Sequence, residues 1–150
     1  MPTFAEHFRV EAAPERVWDF LLDPVRLGGC IPGCAGIEVE SERTYRMRLV
    51  VKVGFLSTTQ DMRMTITELT PPRRLAAVGH GEDSKLGSQV DVRTTLDLEP
   101  AGAGTEVRYR SEVKVLGRLG SVGDAVMRVK AGQLAGEFAA RVRAAMEPGA

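Results

Sequence analysis

Hydrophobic and polar residues alternate along most of the chain, as they do in strands that bury one face. The first alternating run covers Thr3 to Glu11. Six further runs follow after a helical interval, at 36–41, 44–53, 58–69, 75–81, 87–98 and 105–116. The breaks between these later runs are short and rich in Gly, Pro and charged residues, which suits antiparallel neighbours. The pattern predicts a seven-stranded antiparallel sheet.

Helical spacing appears in two places. Pro14 suits a first helical turn, and apolar residues at helical spacing predict a short helix ending at Asp23-Pro24. A second short helical turn is expected over 25–29. After Gly117 a helical run reaches Pro148, about 45 Å at the helical rise. The order predicts one α+β domain over residues 1–150, a helix-grip fold in which a curved sheet surrounds the C-terminal helix.

The alternation also predicts which strand faces are buried. Arginine, lysine and acidic side chains occupy one face, so the apolar face must be concave. The residues expected to line a ligand space there are Met47, Leu49, Met62, Met64, Val92 and Tyr109, with Trp18 and Ile31 near the small helices. Methionine is flexible and suits an adaptable wall, although it also fills gaps in ordinary cores. Thr94 and Ser111 share this face and could contact a ligand or satisfy backbone groups.

The C-terminal helix carries two apolar stripes that do not lie on one straight face. The first stripe contains Leu119, Val122, Val126 and Val129, and the second contains Leu134, Phe138, Val142 and Ala145. We expect Val122, Val126 and Val129 to close the concave wall. A bend near Gly132 and Gly136 is the favoured explanation. A polar interior is the alternative, and Lys130 and Gln133 are therefore candidate ligand contacts.

The meander should bring turns 54–57 and 82–86 and residues 117–121 to one end of the sheet. We expect the first short helix to start there too. Apolar residues stand on glycine-rich turns at this end, where polar residues would be usual. The sequence therefore predicts a mouth whose contacts with a membrane or a partner come from Phe55, Leu56, Arg118 and Leu119. The alternative is that Phe55 and Leu56 fold back onto the core.

Charge and composition restrict the function. Twenty basic and twenty acidic residues cancel, which argues against nucleic acid as a partner. The chain shows no signal peptide and no apolar run of about 18 residues, so we expect a cytoplasmic protein without a membrane span. Cys30 and Cys34 are too few for a structural zinc site, and plain turn cysteines are favoured over a disulfide or redox pair.

We recognise no catalytic constellation and expect no metal, no covalent cofactor and no enzymatic activity. No phosphate loop and no nucleophile motif is present. His80, followed by Glu82 and Asp83, is the one acid–base cluster near the predicted mouth. By alternation His80 points away from the concave face, which weakens a role as general base.

Specific strings carry a family resemblance. They are Pro14-Glu15-Arg16-Val17-Trp18-Asp19-Phe20-Leu21, Cys30-Ile31-Pro32-Gly33-Cys34, Lys52-Val53-Gly54, Pro71-Pro72-Arg73-Arg74-Leu75, Gly104-Thr105 and Gly117-Arg118-Leu119. In this order and spacing they resemble the carbon monoxide dehydrogenase CoxG family of the START-like superfamily, over residues 3 to about 146. The cysteine turn with the following Lys-Val-Gly is the more specific part, because the first helix recurs across the superfamily.

The resemblance implies an accessory protein that links a molybdenum hydroxylase of the carbon monoxide dehydrogenase type to the membrane and handles a quinone of the menaquinone or ubiquinone kind. It implies a place at the inner face of the cytoplasmic membrane and offers no catalytic residue. Longer family members carry a membrane-attaching C-terminal extension. This chain ends at Met146-Glu147-Pro148-Gly149-Ala150, so contact is expected through the mouth or a partner. A START-like cyclase or hydratase, which would need a polar pair inside the cavity, and a ligand-free assembly factor are the alternatives.

Overall fold

The computed structural model describes residues 3–147 as one sheet with helices on its inner side. The strands are β1 (Thr3–Val10), β2 (Cys34–Ser41), β3 (Thr44–Val53), β4 (Leu56–Thr70), β5 (Arg74–Asp83), β6 (Ser88–Ala101) and β7 (Gly104–Gly117). The helices are α1 (Pro14–Leu21), α2 (Pro24–Cys30) and α3 (Asp124–Met146), and a 3-10 turn at Arg118–Val122 precedes α3. This is the predicted α+β helix-grip architecture. Pro148, the expected limit of the last helix, lies outside the described residues.

The seven strands of the described region form one antiparallel sheet in the order β1-β7-β6-β5-β4-β3-β2. The meander from β2 to β7 is as expected, and β1 joins its far edge beside β7. Val10 lies opposite Thr105 in that pair. β2 forms the other edge and shows a register shift near each end, between Cys34 and Gly36 and between Val39 and Ser41.

The pairing of β1 with β7 corrects one expectation about α1. Because β1 runs antiparallel to β7, it ends beside the start of β7, and α1 therefore begins at the end of the sheet opposite Gly54. The expectation that α1 starts at the Gly54 end is wrong. Direction along an odd-numbered strand could be inferred only for strands in the continuous meander, and β1 is not paired with β2.

The two short helices follow from local sequence. Pro14 occupies the first turn of α1, where its missing N–H removes no helical bond. The Asp23 carboxylate caps α2 by accepting hydrogen bonds from the backbone N–H groups of Val25, at 3.0 Å, and Arg26, at 3.3 Å. Together the helices cover one end of the inner face, and α1 buries Val17, Trp18, Phe20 and Leu21 there.

The fully packed core lies at this same end, which we call the closed end. Its buried side chains come from β1, α1, α2, the end of β6, the start of β7 and the C-terminal half of α3: Phe8, Val10, Ala12, Val17, Trp18, Phe20, Leu21, Cys30, Leu98, Val107, Ala139, Val142 and Met146. Phe138 of α3 packs edge-on against Phe8 and Tyr109, with ring centroids 6.0 and 6.2 Å apart. These contacts fix the C-terminal half of α3 on the sheet.

The opposite end, which we call the turn end, contains the β3–β4 and β5–β6 turns and the 3-10 turn, as predicted. A methyl group at Gly117, where φ is +82°, would come within 2.1 Å of the Gly87 carbonyl oxygen. At the β3–β4 turn, a methyl group at Gly54 would lie 3.3 Å from Cγ1 of Val126. α3 therefore reaches from the closed end to the turn end across the inner face.

The two apolar stripes of the C-terminal segment have a simple origin. The helix does not start at Gly117, because residues 118–122 form a 3-10 turn and Gly123 adopts φ +89° and ψ 159°. That conformation breaks the helical phase between Val122 and Asp124. Leu119 and Val122 therefore belong to a different element from Val126 and Val129, and one stripe was never continuous.

Candidate functional site

The middle of the inner face is apolar but incompletely covered. The side chains of Met47, Leu49, Met64, Val92 and Val113 lie on this face and are only partly buried; we call this set the open wall. Further along the same strands, Leu98 is 1% exposed and Val107 is 0% exposed. The open wall is the candidate ligand surface.

Two glycines keep the floor beside the open wall low. Gly79 lies opposite Met64, and Gly81 lies opposite Met62, across the β4–β5 pair. A methyl group at either glycine would come within 2.1 Å of the sulfur of the facing methionine. The two thioethers thus lie over bare backbone, where flexible side chains can be displaced at low cost. Nothing in the alternation pattern distinguished these glycines from ordinary strand residues.

Several predicted ligand-lining residues lie elsewhere than expected. Trp18 and Met62 are each 6% exposed and are fully packed, whereas Ile31 and Tyr109 are partly buried. Trp18 is part of the closed end. Met62 lies on the inner face between the open wall and the turn end. Both are therefore structural neighbours of the candidate ligand surface rather than open parts of it.

The helix face above the open wall differs from the prediction. Met127, Ala131, Leu134 and Phe138 follow one another at spacings of four and three and are partly buried. Val129 is 63% exposed and lies on the other side of α3. The prediction that Val129 closes the wall is wrong, because the phase break at Gly123 shifts the inward row.

The other predicted helix residues are divided by the same row. Val122 and the 39% exposed Val126 lie against Gly54 at the β3–β4 turn. Lys130 is partly buried and stands one turn from both Met127 and Leu134, at the edge of the inward row. Gln133 is exposed and faces away from it.

At the turn end the predicted contact residues separate into two groups. Phe55 is 80% exposed and Arg118 is exposed, so both are available to a membrane or a partner. Leu56 is 8% exposed and Leu119 is 3% exposed. The prediction that these two leucines make surface contacts is wrong. Leu56 begins the inner face of β4, and Leu119 folds over the end of the sheet.

Hydroxyl and carboxyl groups line the inner face on the β1, β6 and β7 side. The hydroxyls of Thr94 and Ser111 are hydrogen-bonded to each other, and Thr94 also reaches the Arg110 carbonyl at 3.4 Å. Glu6 lies opposite Tyr109 in the β1–β7 pair. Burial, and secondly the Glu6 carboxylate, raise the pKa of Tyr109 to about 12. This phenol therefore stays protonated at neutral pH and can donate a hydrogen bond.

The turn end of the inner face also contains a buried polar group that sequence reasoning missed. Thr58, Gln60, Asp83 and Ser88 are 3%, 4%, 7% and 3% exposed. The Asp83 carboxylate accepts hydrogen bonds from four donors. The Leu86 N–H above all, with those of Thr59 and Lys85 and the Thr58 hydroxyl, holds the pKa of Asp83 below its usual range. Alternation placed Thr58 and Gln60 on the inner face, which was the available signal.

His80 lies on the outer face, as its strand position predicted. It stands in an open depression of about 890 Å³ on the outer side of β3 to β6. Its Nδ1 is 2.7 Å from the Asp91 carboxylate and its Nε2 is 3.0 Å from the Glu82 carboxylate. Asp91, followed by Glu82, raises the pKa of His80. A ring held charged by two carboxylates is poorly suited to accept a proton from a substrate.

Cofactor-type features can be stated briefly for residues 3–147. No group of three or more His, Cys, Asp or Glu side chains in this region is arranged to hold a metal ion. Cys30 and Cys34 are free thiols, and burial raises the pKa of Cys30. No helix in the same region is both long and apolar enough to cross a bilayer.

The fold and the open inner face together define a START-like protein. The chain matches a conserved protein from Geobacillus kaustophilus with a TM-score of 0.88 and 23% identity, over 97% of this chain and 95% of that one. A protein from Chromobacterium violaceum matches with a TM-score of 0.74 and 22% identity, over 97% and 98%. A START superfamily protein from Mycobacterium smegmatis matches with a TM-score of 0.72 and 13% identity, over 97% of each chain. At these identities the likeness concerns the fold.

Sequence comparison gives the family. The model of the carbon monoxide dehydrogenase CoxG family matches residues 7–147, and the chain belongs to this family. No curated protein sequence matches it. Family membership and the START-like fold indicate an accessory protein that binds a ligand.

Proposed function

We propose that the protein binds an apolar, quinone-like molecule against the open wall and connects a molybdenum hydroxylase of the carbon monoxide dehydrogenase type with the membrane quinone pool. The observation that carries this proposal is the partial exposure of the open wall. Each Å² of apolar surface left accessible forgoes about 25 cal/mol of hydrophobic stabilisation. A ligand lying between the sheet and α3 would recover it.

The chemistry of the wall suits a ring with an isoprenoid tail. Met47, Leu49 and Met64 supply an adaptable apolar surface, and the glycine floor under Met64 leaves room for that side chain to move. Tyr109 offers one hydrogen-bond donor from the β7 side. Binding sites for small molecules usually combine a mostly apolar lining with a few polar groups in this way.

The proposed partner follows from the family name, which implies association with carbon monoxide dehydrogenase. Exposed apolar residues at the turn end supply a contact surface for a bilayer or the hydroxylase: Phe55, Val126 and Val129, beside Arg118. Phe55 stands next to Gly54, whose position lies against Val126. In this proposal the ligand enters near that surface, and the protein works at the inner face of the cytoplasmic membrane.

A binding experiment with matched variants tests the ligand proposal. Met64→Gln puts an amide on the open wall, and Arg63→Gln puts the same side chain on the outer face at the adjacent position. Affinity for a short-tailed naphthoquinone should fall about tenfold in Met64→Gln and stay unchanged in Arg63→Gln, because one buried polar group without a partner costs about 1–3 kcal/mol. Equal affinity in all three proteins would contradict binding at the wall.

One observation favours a second candidate, an enzyme acting on a small hydrophobic substrate. Glu6 and Tyr109 form a polar pair on the inner face, as such an enzyme would need. For a cyclase or hydratase, Tyr109→Phe should abolish turnover while leaving substrate affinity within about threefold. For a carrier, the same variant should show no turnover to lose. A protein that purifies without lipid yet holds the hydroxylase would support an assembly role instead.

A further inference from the structure

The buried polar group at the turn end interrupts an otherwise apolar inner face. Thr58 and Gln60 come from β4, Asp83 ends β5 and Ser88 begins β6. All four are at least 93% buried, and buried polar groups are normally paired. Following the hydrogen bonds from Asp83 shows that one atom is left over.

Asp83 fixes the direction of the hydrogen bonds. Its Oδ2 accepts from the Thr58 hydroxyl at 2.9 Å and from the Thr59 N–H at 2.9 Å. Its Oδ1 accepts from the N–H groups of Lys85 and Leu86, each at 3.1 Å. A hydroxyl has one proton, so the Thr58 oxygen can only accept from any further partner.

That restriction orients the Gln60 amide. Its Nε2 lies 2.9 Å from the Thr58 oxygen and 3.0 Å from the Ser88 hydroxyl oxygen, so the amide donates both of its protons. The opposite orientation would place the carbonyl oxygen of Gln60 against a Thr58 oxygen with no proton to give. The Nε2 and Oε1 positions are therefore determined by chemistry.

The Gln60 carbonyl oxygen is the atom left over. It is buried and has no hydrogen-bond donor among the described residues. It lies above Gly81, where a methyl group would be 2.9 Å from it. Leaving a buried acceptor without a donor costs about 1–3 kcal/mol, so its retention calls for a function.

The surroundings of Gln60 connect this oxygen to the open wall. Leu49 lies directly opposite Gln60 on β3, and Met62 lies opposite Gly81 on β5. The Met62 sulfur occupies the space over Gly81 beside the Gln60 oxygen. A rotation of this flexible side chain would open a path from Leu49 to the oxygen. A ligand on the open wall would then reach it with its ring.

We propose that Gln60 Oε1 accepts a hydrogen bond from a ring hydroxyl of the ligand, so that the protein prefers a quinol to the corresponding quinone. This rests on the proposed function and names the form of ligand that the site favours. A quinone has only carbonyl acceptors and would face the Gln60 oxygen without a proton to share. A quinol supplies an O–H donor and completes the chain from Asp83 through Thr58.

Three probes separate the hydroxyl from the rest of the ligand. They are a short-tailed 1,4-naphthoquinol under anaerobic conditions, its dimethyl ether and the parent naphthoquinone. Calorimetric titration of the full chain should show the quinol binding about tenfold more tightly than the ether and the quinone, the effect of one hydrogen bond of about 1.4 kcal/mol. Gln60→Met should remove the preference and keep the affinity for the quinone.

Gln89→Met is the matched control, because Gln89 is exposed on the outer face beside Ser88 and undergoes the same substitution. It should keep the tenfold preference. Equal binding of the three probes by the unmodified protein would overturn this inference and leave the carrier proposal standing. A preference retained in Gln60→Met would also overturn it. Binding of none of the probes would overturn the carrier proposal itself. If Gln60→Met does not fold, the quinol–ether comparison in the unmodified protein decides the question alone.

Discussion

Two halves of the same sheet face differ in how completely they are covered. In β6, Leu98 at the closed end is 1% exposed, whereas Val92 on the open wall is only partly buried. In β7 the same contrast holds between Val107 and Val113. The residue types and the alternation are alike in both halves. The difference comes from the covering elements, since α1, α2 and the end of α3 converge on one half and only the start of α3 spans the other.

The largest expected effect is on stability, from shortening a leucine in each half. Leu98→Ala should lower the free energy of unfolding by about 3 kcal/mol, because it opens a cavity in a closed core. Leu49→Ala removes the same atoms from a partly exposed position and should cost about 1 kcal/mol. Urea denaturation measures both. Similar losses in the two variants would mean that the open wall is packed as tightly as the closed end.

Enlarging a valine sharpens the contrast from the other direction. Val107→Phe should cost about 2 kcal/mol through overpacking, because Val107 is 0% exposed. Val92→Phe should cost less than about 1 kcal/mol and should weaken naphthoquinone binding, since the added ring would project into ligand space. Thermal unfolding and binding titrations on both variants give the comparison. A strongly destabilised Val92→Phe would argue against free space at the wall.

Asp83 provides a smaller, pH-dependent effect at the turn end. Because the Leu86 N–H and its other donors hold the folded pKa of Asp83 below its unfolded value of about 3.9, its stabilisation is present at neutral pH. It is lost as pH falls below about 4 and through the folded pKa. Asp83→Asn should therefore cost about 1–2 kcal/mol at pH 7 and much less at pH 3. Urea titrations at the two pH values measure this; equal costs at both would contradict it.

The smallest effect concerns His80 on the outer side of the open half. Asp91 and Glu82 raise its folded pKa, so its stabilisation is full below about pH 6.5 and is lost as pH rises through the folded pKa. Its side chain is 47% exposed, so we expect only a few tenths of a kcal/mol. An NMR titration should show a lower His80 pKa in Asp91→Asn. An unchanged value would show that Asp91 does not hold the ring.

Much of the fold could be predicted from period alone. The bounds of β3 at Thr44–Val53 are those expected, since its alternation is continuous and both of its turns are marked by polar or glycine residues. The inner face was also predictable, because a one-residue shift would have placed arginines inside. The open-wall residues on β3, β4 and β6 follow directly from that choice of face.

The remaining features depend on backbone geometry and neighbours that a linear pattern does not contain. The break at Gly123 requires a positive φ that sequence spacing did not reveal, so Val129 was placed on the wrong side of α3. Leu119 was placed at the surface because its burial depends on the fold of the 3-10 turn. The Gln60 oxygen could be recognised only once β4, β5 and β6 were in register.

The irregular edge strand has a consequence for association with other chains. An open sheet with a regular, exposed outer strand offers its free N–H and C=O groups as a template for another strand. In β2 the register shifts after Cys34 and after Val39 leave only a short regular stretch around Ile37. Such bulges twist an edge away from flat pairing. The protein can thus keep an apolar inner face accessible without inviting edge-to-edge aggregation, and straightening β2 would remove that protection.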